Sequence, residues 1–383
     1  MHGSMPAYWL WQQPVCQYDH CTDRLAGSLM LQRLLILTNM GPKPSAPFQG
    51  VFVRNQVDAL ASLKPAYFQM EWQSDRMPWR LLRYPIFWLQ FVWRFVFSQQ
   101  KFDVLHVHFF YPTIWLALTY RYLRNPRAKI VVTCHGSDVY AYDPPSRWYQ
   151  RAAAQVDQWI FVSEQLHQRF FRQDIKAEVL PAGIHAVFGQ VPALAHDKKD
   201  IDLLYVGTLD LNKGMDRLIA LLPALAGKKV VVIGHGPWHD KLQAAASQYP
   251  QLQLVAAQGA EQLKGYYQRS RVFASLSRNE SFGLVMTEAM ACGTPVVATK
   301  TDGSVMQVRD GENGYLVSAD TEQALVSGLA EKIQWLLSLP AADYQRLQQS
   351  CQTSAEPYLL DKIADRLTAI YQRLETAEFA SPE

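Results

Sequence analysis

The stretch SRNESFGLVMTEAMACGTPVVAT, residues 277–299, places Glu280 and Glu288 around a glycine and runs through a helical pattern into an apolar strand. Residues 281–284 are expected to form the first turn of a helix, whose free N–H groups and positive end bind phosphate or sugar oxygens. Glu280 lies just outside this turn and can accept hydrogen bonds from a polyol. Glu288 follows about two turns later, which suits the vicinal hydroxyls of a ribose. Isolated glutamates in such positions are more often a capping acid and a solvated helix residue. The segments around them must therefore decide between ligand binding and this ordinary structural role.

Short apolar runs alternate with helical patterns on both sides of this stretch. This alternation is typical of parallel strands joined by helical crossovers. The pattern lapses near residues 181–200, which mix Pro, Gly and charge, and a second alternating series follows. The sequence therefore predicts an α/β protein with two Rossmann-like, doubly wound domains that face a cleft. The apolar runs in chain order are LLILTN, FDVLHVH, KIVVTCHG, QWIFVS, DLLYVGTL, KKVVVIGHG, LQLVAA, RVFASLS, TPVVAT and NGYLVS.

Four segments follow from this pattern. Residues 1–30 are expected to be a poorly ordered extension, residues 31–190 the first Rossmann-like domain and residues 191–355 the second. Residues 356–383 carry apolar residues at steps of three and four. That spacing predicts a closing helix that returns toward the first domain.

Bulk composition excludes several classes of protein. A formal charge of +3 over 383 residues gives no basic stripe of the kind that binds nucleic acid. Five cysteines, an odd number without a framework spacing, predict a reducing compartment and thus the cytoplasm. Cys16, His20 and Cys21 lack a second ligand pair at a fitting distance, so no metal site is expected there.

The segment RLLRYPIFWLQFVWRFVFS, residues 80–98, is aromatic, apolar and basic without an acid. Its longest uncharged run is far below the ~20 residues that span a bilayer. It can lie on an anionic membrane surface with its tryptophans and arginines at the headgroups. Equally, it can be an amphipathic crossover helix packed on the sheet, and the pattern does not choose between these interpretations.

Residues that follow the strands are the candidates for ligand contact, because open parallel sheets bind ligands beyond the carboxyl ends of their strands. His108 and the HGSD sequence with His135 and Asp138 follow two strands of the first domain. A lone His most often satisfies a buried carbonyl, but the strand-end position favours the cleft. His106 shares a strand face with His108, as a metal pair does, yet no third ligand is identifiable. Gly50 precedes a helix and marks a weak anion site.

In the second domain VGTLDLNKG, residues 206–214, places Lys213 where a strand passes into a helix, a position suited to a diphosphate. VIGHGP, residues 232–237, is a further glycine-rich turn. Both segments can also be ordinary turns.

This combination resembles the retaining glycosyltransferases of family 4, which have the GT-B fold. The resemblance rests on the E-x7-E segment from Glu280 to Glu288 with AMACGTPVVAT behind it, and it covers about residues 31–375. The other matching segments are PFQGVFVRNQVDALA, HGSDV, VGTLDLNKG, VIGHGP and VRDGENGYLV.

The resemblance implies that residues 31–190 bind the acceptor and that residues 191–355 bind the nucleotide-sugar. It also implies a role for each matching residue. Glu288 would bind the nucleotide ribose and Glu280 the transferred sugar, while Lys213 would bind the diphosphate and His135 would lie beside the reacting sugar. It implies His135, Glu280 and Lys213 as catalytic residues and His108 and Asp138 as acceptor-binding residues. Further donor-binding residues would be Phe282, Gly283, Leu284, Gly50, Gly207, Thr208, Gln258 and Gly259.

Some positions differ from the family pattern. Thr208 stands where the family most often has a phosphate-binding arginine, which leaves more of the leaving-group charge to Lys213 and the helix amides. The TDGSVMQV segment, residues 301–308, lacks the second glycine and the glutamate of the family's GGxPE motif.

The resemblance implies an enzyme that moves a sugar from a nucleotide diphosphate-sugar to a saccharide or lipid-linked acceptor with retained anomeric configuration. No metal or other cofactor is expected. The synthesis of cell-surface polysaccharide or glycolipid is the expected setting, at the inner face of the plasma membrane if residues 80–98 bind it. The only D-x-D, at Asp200 and Asp202, lies in a charged linker and favours a structural role. A nucleotide-sugar epimerase of similar architecture and a non-catalytic peripheral membrane protein are the alternatives.

Overall fold

A computed structural model describes residues 33–41, 49–71, 77, 79–189 and 191–379. The chain divides into two compact units, residues 1–31 and 32–383. The first unit, with the expected extension and with Cys16, His20 and Cys21, lies outside the described residues. The second unit contains two parallel six-stranded sheets, each of which organises one lobe.

The first sheet is built from short apolar segments that are buried on both faces, as in LLILT, where every residue is buried. The strand order is β2-β1-β3-β4-β5-β6. The strands are β1 Leu34–Thr38, β2 Ala66–Gln69, β3 Val104–His108, β4 Lys129–Cys134, β5 Gln158–Phe161 and β6 Ala177–Val179. The helices are α1 Val51–Ala59, α2 Trp79–Phe91, α3 Phe110–Leu123, α4 Ser137–Tyr140, α5 Arg147–Ala153 and α6 Glu164–Arg169.

The second sheet repeats this design with the order β12-β11-β10-β7-β8-β9. Its strands are β7 Ile201–Thr208, β8 Val230–His235, β9 Leu252–Val255, β10 Ser270–Ser275, β11 Val296–Thr299 and β12 Gly314–Val317. The helices that follow are α7 Met215–Leu221, α8 His239–Gln248, α9 Ala260–Arg269, α10 Leu284–Ala291, α11 Ser304–Gln307, α12 Glu322–Leu337, α13 Ala341–Ala355 and α14 Leu360–Phe379. The prediction of two doubly wound Rossmann-like domains is confirmed.

Each sheet has one point where the chain reverses its direction of travel across the strands. In the first sheet β2 and β3 lie on opposite sides of β1, and in the second β8 and β10 lie on opposite sides of β7. Crossover loops diverge at such a point and leave a crevice at the carboxyl ends of the strands. The fold therefore directs the ends of β3 and β4 and the ends of β7 and β10 toward the ligand-binding region.

The closing helix α14 covers the first sheet. Its buried side chains Ile363, Leu367 and Ile370 belong to one apolar cluster with Leu34 and Ile36 of β1. Each such side chain contributes about 1.5–3 kcal/mol on burial. The helix thus ties the end of the chain to the first lobe.

Helix α2 continues as a π-helix, Val92–Val96, and packs on the sheet along one side. Phe87 stacks on Phe68 with a centroid distance of 4.9 Å, and Phe91 and Phe95 are buried beside them. The opposite side, which includes Trp93, is exposed. Among the described residues no helix combines the length and the apolar character that crossing a bilayer requires.

Candidate active site

A cavity of about 350 Å³ lies between the two lobes at the carboxyl ends of the strands. Its size fits the range of small-molecule sites, roughly 300–1,000 Å³. Both lobes contribute to its wall, and Phe52 and Phe109 line it from the first lobe. The cavity brings together eight of the predicted site residues, namely His135, Gly207, Thr208, Lys213, Glu280, Phe282, Gly283 and Leu284.

Lys213 and Glu280 form an ion pair in this cavity, Nζ to Oε2. The turn before α7 positions the lysine, because its backbone N–H donates to Asp210 Oδ1 at 2.8 Å. Gly214 takes φ 75°, and a Cβ there would lie 2.2 Å from the carbonyl oxygen of Leu276, so glycine is required. A bound phosphate would give the ammonium a second anionic partner in a partly desolvated site.

The first turn of α10 also lines the cavity, but the expected start of this helix at residue 281 was wrong. The helix begins at Leu284, because Gly283 takes the left-handed φ of 83° that glycine adopts without strain. The early N–H groups of a helix have no intrahelical partner. Gly283, Leu284 and Val285 line the cavity, so the positive end of the helix lies at the cavity wall.

The loop that carries Glu280 is held from behind by α11. Gly303 N–H donates to the Glu280 carbonyl at 2.7 Å, and Gln307 Nε2 donates to the Phe282 carbonyl. Ser304 N–H donates to Thr301 Oγ1 at 3.2 Å. The amides of residues 303 and 304 are thus engaged within the protein, and they support the loop. This support was missed in the sequence because Gln307 stands in the segment that differs from the family pattern.

Glu288 lies on the second turn of α10 but does not line the cavity. Its Oε2 accepts a hydrogen bond from Tyr267 of α9 at 2.8 Å. Burial raises the pKa of Glu288 to about 7, although the tyrosine hydrogen bond opposes the shift. No sequence pattern identified Tyr267 as the partner of Glu288. Contact of Glu288 with a ribose stays a prediction, and it requires the ligand to reach this buried carboxyl group.

Replacing Glu288 with glutamine should change the pH dependence of stability. The pKa of Glu288 is raised from 4.5 to about 7 in the folded protein, so the folded state holds the proton more tightly and the free energy of unfolding falls between these two pH values. The Glu288→Gln variant lacks this term. The free energy of unfolding of the variant, relative to that of the wild type, should rise by about 2 kcal/mol from pH 5 to pH 8, measured by urea unfolding. A difference that stays constant over this range would contradict the assignment.

His135 forms part of the first-lobe wall of the cavity. Its ring lies 4.4 Å from that of Phe109 and 5.0 Å from that of Phe52, between centroids. Phe109 has φ 62°, a strained backbone conformation of the kind that clusters at functional sites. His135 Nε2 is 3.0 Å from His108 Nδ1. Burial lowers the pKa of both imidazoles, and that of His108 falls to about 3.

His108 and Asp138, the expected acceptor-binding residues, do not line the cavity. Both are buried. The carboxylate of Asp138 accepts from the N–H groups of His135 and Gly136, each at 2.9 Å, and from Phe110 N–H at 2.9 Å. Asp138 therefore organises the loop that carries His135, and contact of His108 or Asp138 with an acceptor stays a prediction.

Besides Glu288, three further expected donor-binding residues lie outside the cavity wall. Gly50 precedes α1 with φ 77°, and residues 42–48 next to it are outside the described part of the chain. Gly259 is the residue before α9, and Gln258 Nε2 donates to the Ala256 carbonyl at 2.9 Å. Their contact with a nucleotide stays a prediction.

Contacts between the lobes flank the cavity, and none was visible in the sequence. Tyr140 donates to Asp302 Oδ2 at 2.7 Å, and Arg169 lies 3.3 Å from the same carboxylate. Gly136 faces Ser281 so closely that a Cβ on Gly136 would lie 2.0 Å from Ser281 Oγ. These contacts hold His135 and Glu280 on facing walls.

Replacing Gly136 with alanine should weaken this closed arrangement. Gly136 has φ 118°, so alanine is strained there and also meets Ser281. We expect a loss of about 2–3 kcal/mol of stability, measured by urea unfolding. Gly227→Ala is the matched control, with φ 73° and no atom within 4 Å of an added Cβ, and should cost about 1 kcal/mol. Equal losses in the two variants would show that the contact with Ser281 is unimportant.

The D-x-D carboxylates are occupied by ion pairs. Asp200 accepts from Arg269 Nε at 2.7 Å and from Lys229 Nζ at 2.8 Å, and these bonds hold the pKa of Asp200 well below its usual range. Asp202 pairs with Arg271 at 3.0 Å. Within the described residues no group of three or more His, Cys, Asp or Glu side chains is arranged to hold a metal ion.

Known proteins resemble this chain over both lobes. A family model described as Glycosyl transferases group 1 matches residues 190–354, and one described as Glycosyltransferase Family 4 matches residues 55–187. The chain is 32% identical over 184 residues to a D-inositol 3-phosphate glycosyltransferase of Mycolicibacterium paratuberculosis, which covers 46% of this chain and 40% of the relative. The match thus spans less than half the length of that curated relative.

Solved structures share the fold. Sucrose-phosphate synthase from Thermosynechococcus elongatus superposes with a TM-score of 0.71 at 21% identity, over 90% of this chain and 100% of that one. Anabaena HepE, solved in complex with UDP and glucose, superposes with a TM-score of 0.63 at 15% identity, over 89% and 100% of the two chains. With one family model on each lobe and this common architecture, the chain belongs to the group 1, family 4 glycosyltransferases and has the GT-B fold.

Proposed function

We propose that the protein transfers a sugar from a nucleotide diphosphate-sugar to an acceptor hydroxyl with retained anomeric configuration. The observation that carries the proposal is the cavity in which Lys213, Glu280 and the first turn of α10 converge. Family membership and the UDP and glucose bound to Anabaena HepE support the choice of donor class. Neither the epimerase nor the non-catalytic alternative is favoured by these findings.

The proposed reaction follows from the charges in the cavity. Cleavage of the bond between the anomeric carbon and the phosphate oxygen builds positive charge on the sugar and negative charge on the diphosphate. Lys213 and the helix amides stabilise the diphosphate, and Glu280 holds sugar hydroxyls. The acceptor oxygen bonds to the anomeric carbon on the face that the diphosphate leaves, and its proton passes to a phosphate oxygen. This scheme uses no metal ion.

Nucleotide release in the presence and absence of acceptors tests the proposal. The wild type should release nucleoside diphosphate only when it transfers or hydrolyses the sugar. The Glu288→Ala variant should release nucleoside diphosphate much more slowly. An epimerase would convert the nucleotide-sugar to its epimer without an acceptor. A non-catalytic peripheral membrane protein would release no nucleotide, and its lipid binding would not depend on Glu280. The anomeric configuration of the product, read by NMR, tests the stereochemistry, and an inverted product would refute retention.

A membrane surface is the proposed location of the acceptor, which we expect to be a precursor of a cell-surface polysaccharide or a glycolipid. The outer face of α2 and its π-helical extension leaves Trp93 79% and Phe97 73% exposed, with the guanidinium of Arg94 over the Phe95 ring. Cationic and aromatic side chains together fit anionic lipid headgroups. The protein would then be cytoplasmic and peripheral at the inner face of the plasma membrane. The side chains of Trp79 and Arg80 lie outside the described part.

Vesicle sedimentation checks this surface. The wild type should bind phosphatidylglycerol vesicles and not phosphatidylcholine vesicles. The double variant Trp93→Ser/Phe97→Ser should bind phosphatidylglycerol vesicles at least about tenfold more weakly. Trp335→Ser is the matched control, because Trp335 is an exposed aromatic residue on α12 of the other lobe. Equal binding by the double variant and the control would locate the lipid contact elsewhere or exclude it.

A further inference from the structure

Three histidines meet behind the first-lobe wall of the cavity. His106 and His108 are two residues apart on β3, so their side chains share one face of the sheet, and their ring centroids are 4.3 Å apart. His108 Nδ1 lies 3.0 Å from His135 Nε2. Of the three rings, that of His135 lines the cavity. The question is which nitrogen of His135 carries the proton.

All three rings are neutral near pH 7. Burial lowers the pKa of His108 to about 3 and the pKa values of His106 and His135 well below the usual range. A neutral imidazole has one N–H donor and one lone-pair acceptor. The His108–His135 hydrogen bond therefore has two possible directions, and each direction fixes both tautomers.

His106 does not decide between them. Its Nδ1 is 2.7 Å from the Tyr371 hydroxyl and its Nε2 is 2.7 Å from Thr133 Oγ1. Hydroxyl groups both donate and accept, so either tautomer of His106 is satisfied. Because both nitrogens of His106 are engaged, neither offers a partner to His108.

His108 Nε2 decides the direction. It is buried and has no hydrogen-bond partner among the described residues. If His135 donated to His108 Nδ1, the proton of His108 would sit on Nε2 and leave a buried N–H without an acceptor. Orphaned buried N–H groups are rarer than under-satisfied acceptors. The proton of His108 is therefore assigned to Nδ1, which donates to His135 Nε2.

We propose that His108 is a positioning residue that fixes His135 as the Nδ1–H tautomer, so that His135 offers an N–H donor to an oxygen of the bound sugar nucleotide. This assignment rests on the proposed function for the identity of the ligand and on the hydrogen-bond geometry for the tautomer. With Nε2 accepting from His108, His135 has no lone pair left for the cavity. It therefore holds a ligand oxygen and does not remove the acceptor proton, which agrees with transfer of that proton to phosphate.

Nitrogen-15 NMR of the histidine rings tests the tautomer directly, with the His135 signals assigned from a His135→Gln spectrum. At pH 7.5 the wild-type protein should show His135 protonated at Nδ1 and bare at Nε2. A ring protonated at Nε2 would overturn the proposal. This result needs no catalytic activity, so it stands apart from any failure to detect sugar transfer, which would refute the proposed function alone.

Two variants of His108 separate positioning from packing. His108→Asn keeps an N–H donor near the place of Nδ1 and should retain both the His135 tautomer and kcat/KM within about threefold. His108→Leu removes the donor and should give a mixed tautomer and about a tenfold loss of kcat/KM. A folded leucine variant with the wild-type tautomer and rate would overturn the role of His108. If that variant does not fold, the wild-type spectrum still decides the tautomer.

Discussion

Replacing Lys213 with methionine should lower kcat for sugar transfer by about 10²- to 10³-fold, the loss typical when one electrostatic contact to a leaving oxyanion is removed. Lys213 is the only Lys or Arg among the described residues that line the cavity. Methionine keeps the length and apolar stem of the side chain and removes the charge. Steady-state kinetics at saturating donor would measure the change.

The matched control for Lys213→Met is Lys332→Met. Lys332 also pairs with a glutamate, Glu331, at 3.2 Å and lies half-buried on α12, outside the cavity wall. The control should keep wild-type kcat, because surface ion pairs contribute little. A Lys213→Met enzyme with kcat within threefold of wild type would show that the amides of α10 carry the leaving-group charge without the lysine.

Replacing Glu280 with glutamine should lower kcat/KM by about 100-fold or more. The variant keeps the shape of the side chain but loses the charge that pairs with Lys213 and accepts from sugar hydroxyls. Hydrogen bonds to a charged acceptor are about twice as strong as neutral ones. Initial rates at varied donor concentration measure the loss, and Glu331→Gln is the control on the surface pair.

The double variant Lys213→Met/Glu280→Gln tests whether the two residues act together. Because they contact each other, the combined loss should be smaller than the product of the single losses. Strictly multiplicative losses would indicate that the ion pair in the free enzyme is unrelated to catalysis.

The juxtaposition of Lys213 and Glu280 was predictable from the sequence because parallel strands gather their carboxyl ends at one edge of the sheet. Lys213 follows β7 and Glu280 follows β10, and these strands are hydrogen-bonded neighbours. Their loops therefore had to meet once both segments formed parallel strands in one sheet. Alternating apolar and helical patterns were sufficient to predict this much.

Contacts that depend on side-chain burial or on docking of the lobes were not predictable. Glu288 occupies the expected helical turn, but spacing gives no information about solvation, and its buried bond to Tyr267 needed coordinates. The pairing of Tyr140 with Asp302 joins residues 162 positions apart across two lobes. His108 was expected to contact the acceptor because strand ends face ligands, but its burial and its hydrogen bond to His135 could not be predicted from its position in the sequence.

A crystal structure with a bound nucleoside diphosphate, tried with uridine and guanosine forms, tests the central claim most directly. We expect the diphosphate to lie between Lys213 and the amides of Gly283 and Leu284, with the Lys213 ammonium turned at least partly from Glu280 to phosphate. The ribose should lie toward Glu288. A diphosphate bound on another face, with the Lys213–Glu280 pair unchanged and the cavity empty, would contradict the assignment of this cleft as the donor site.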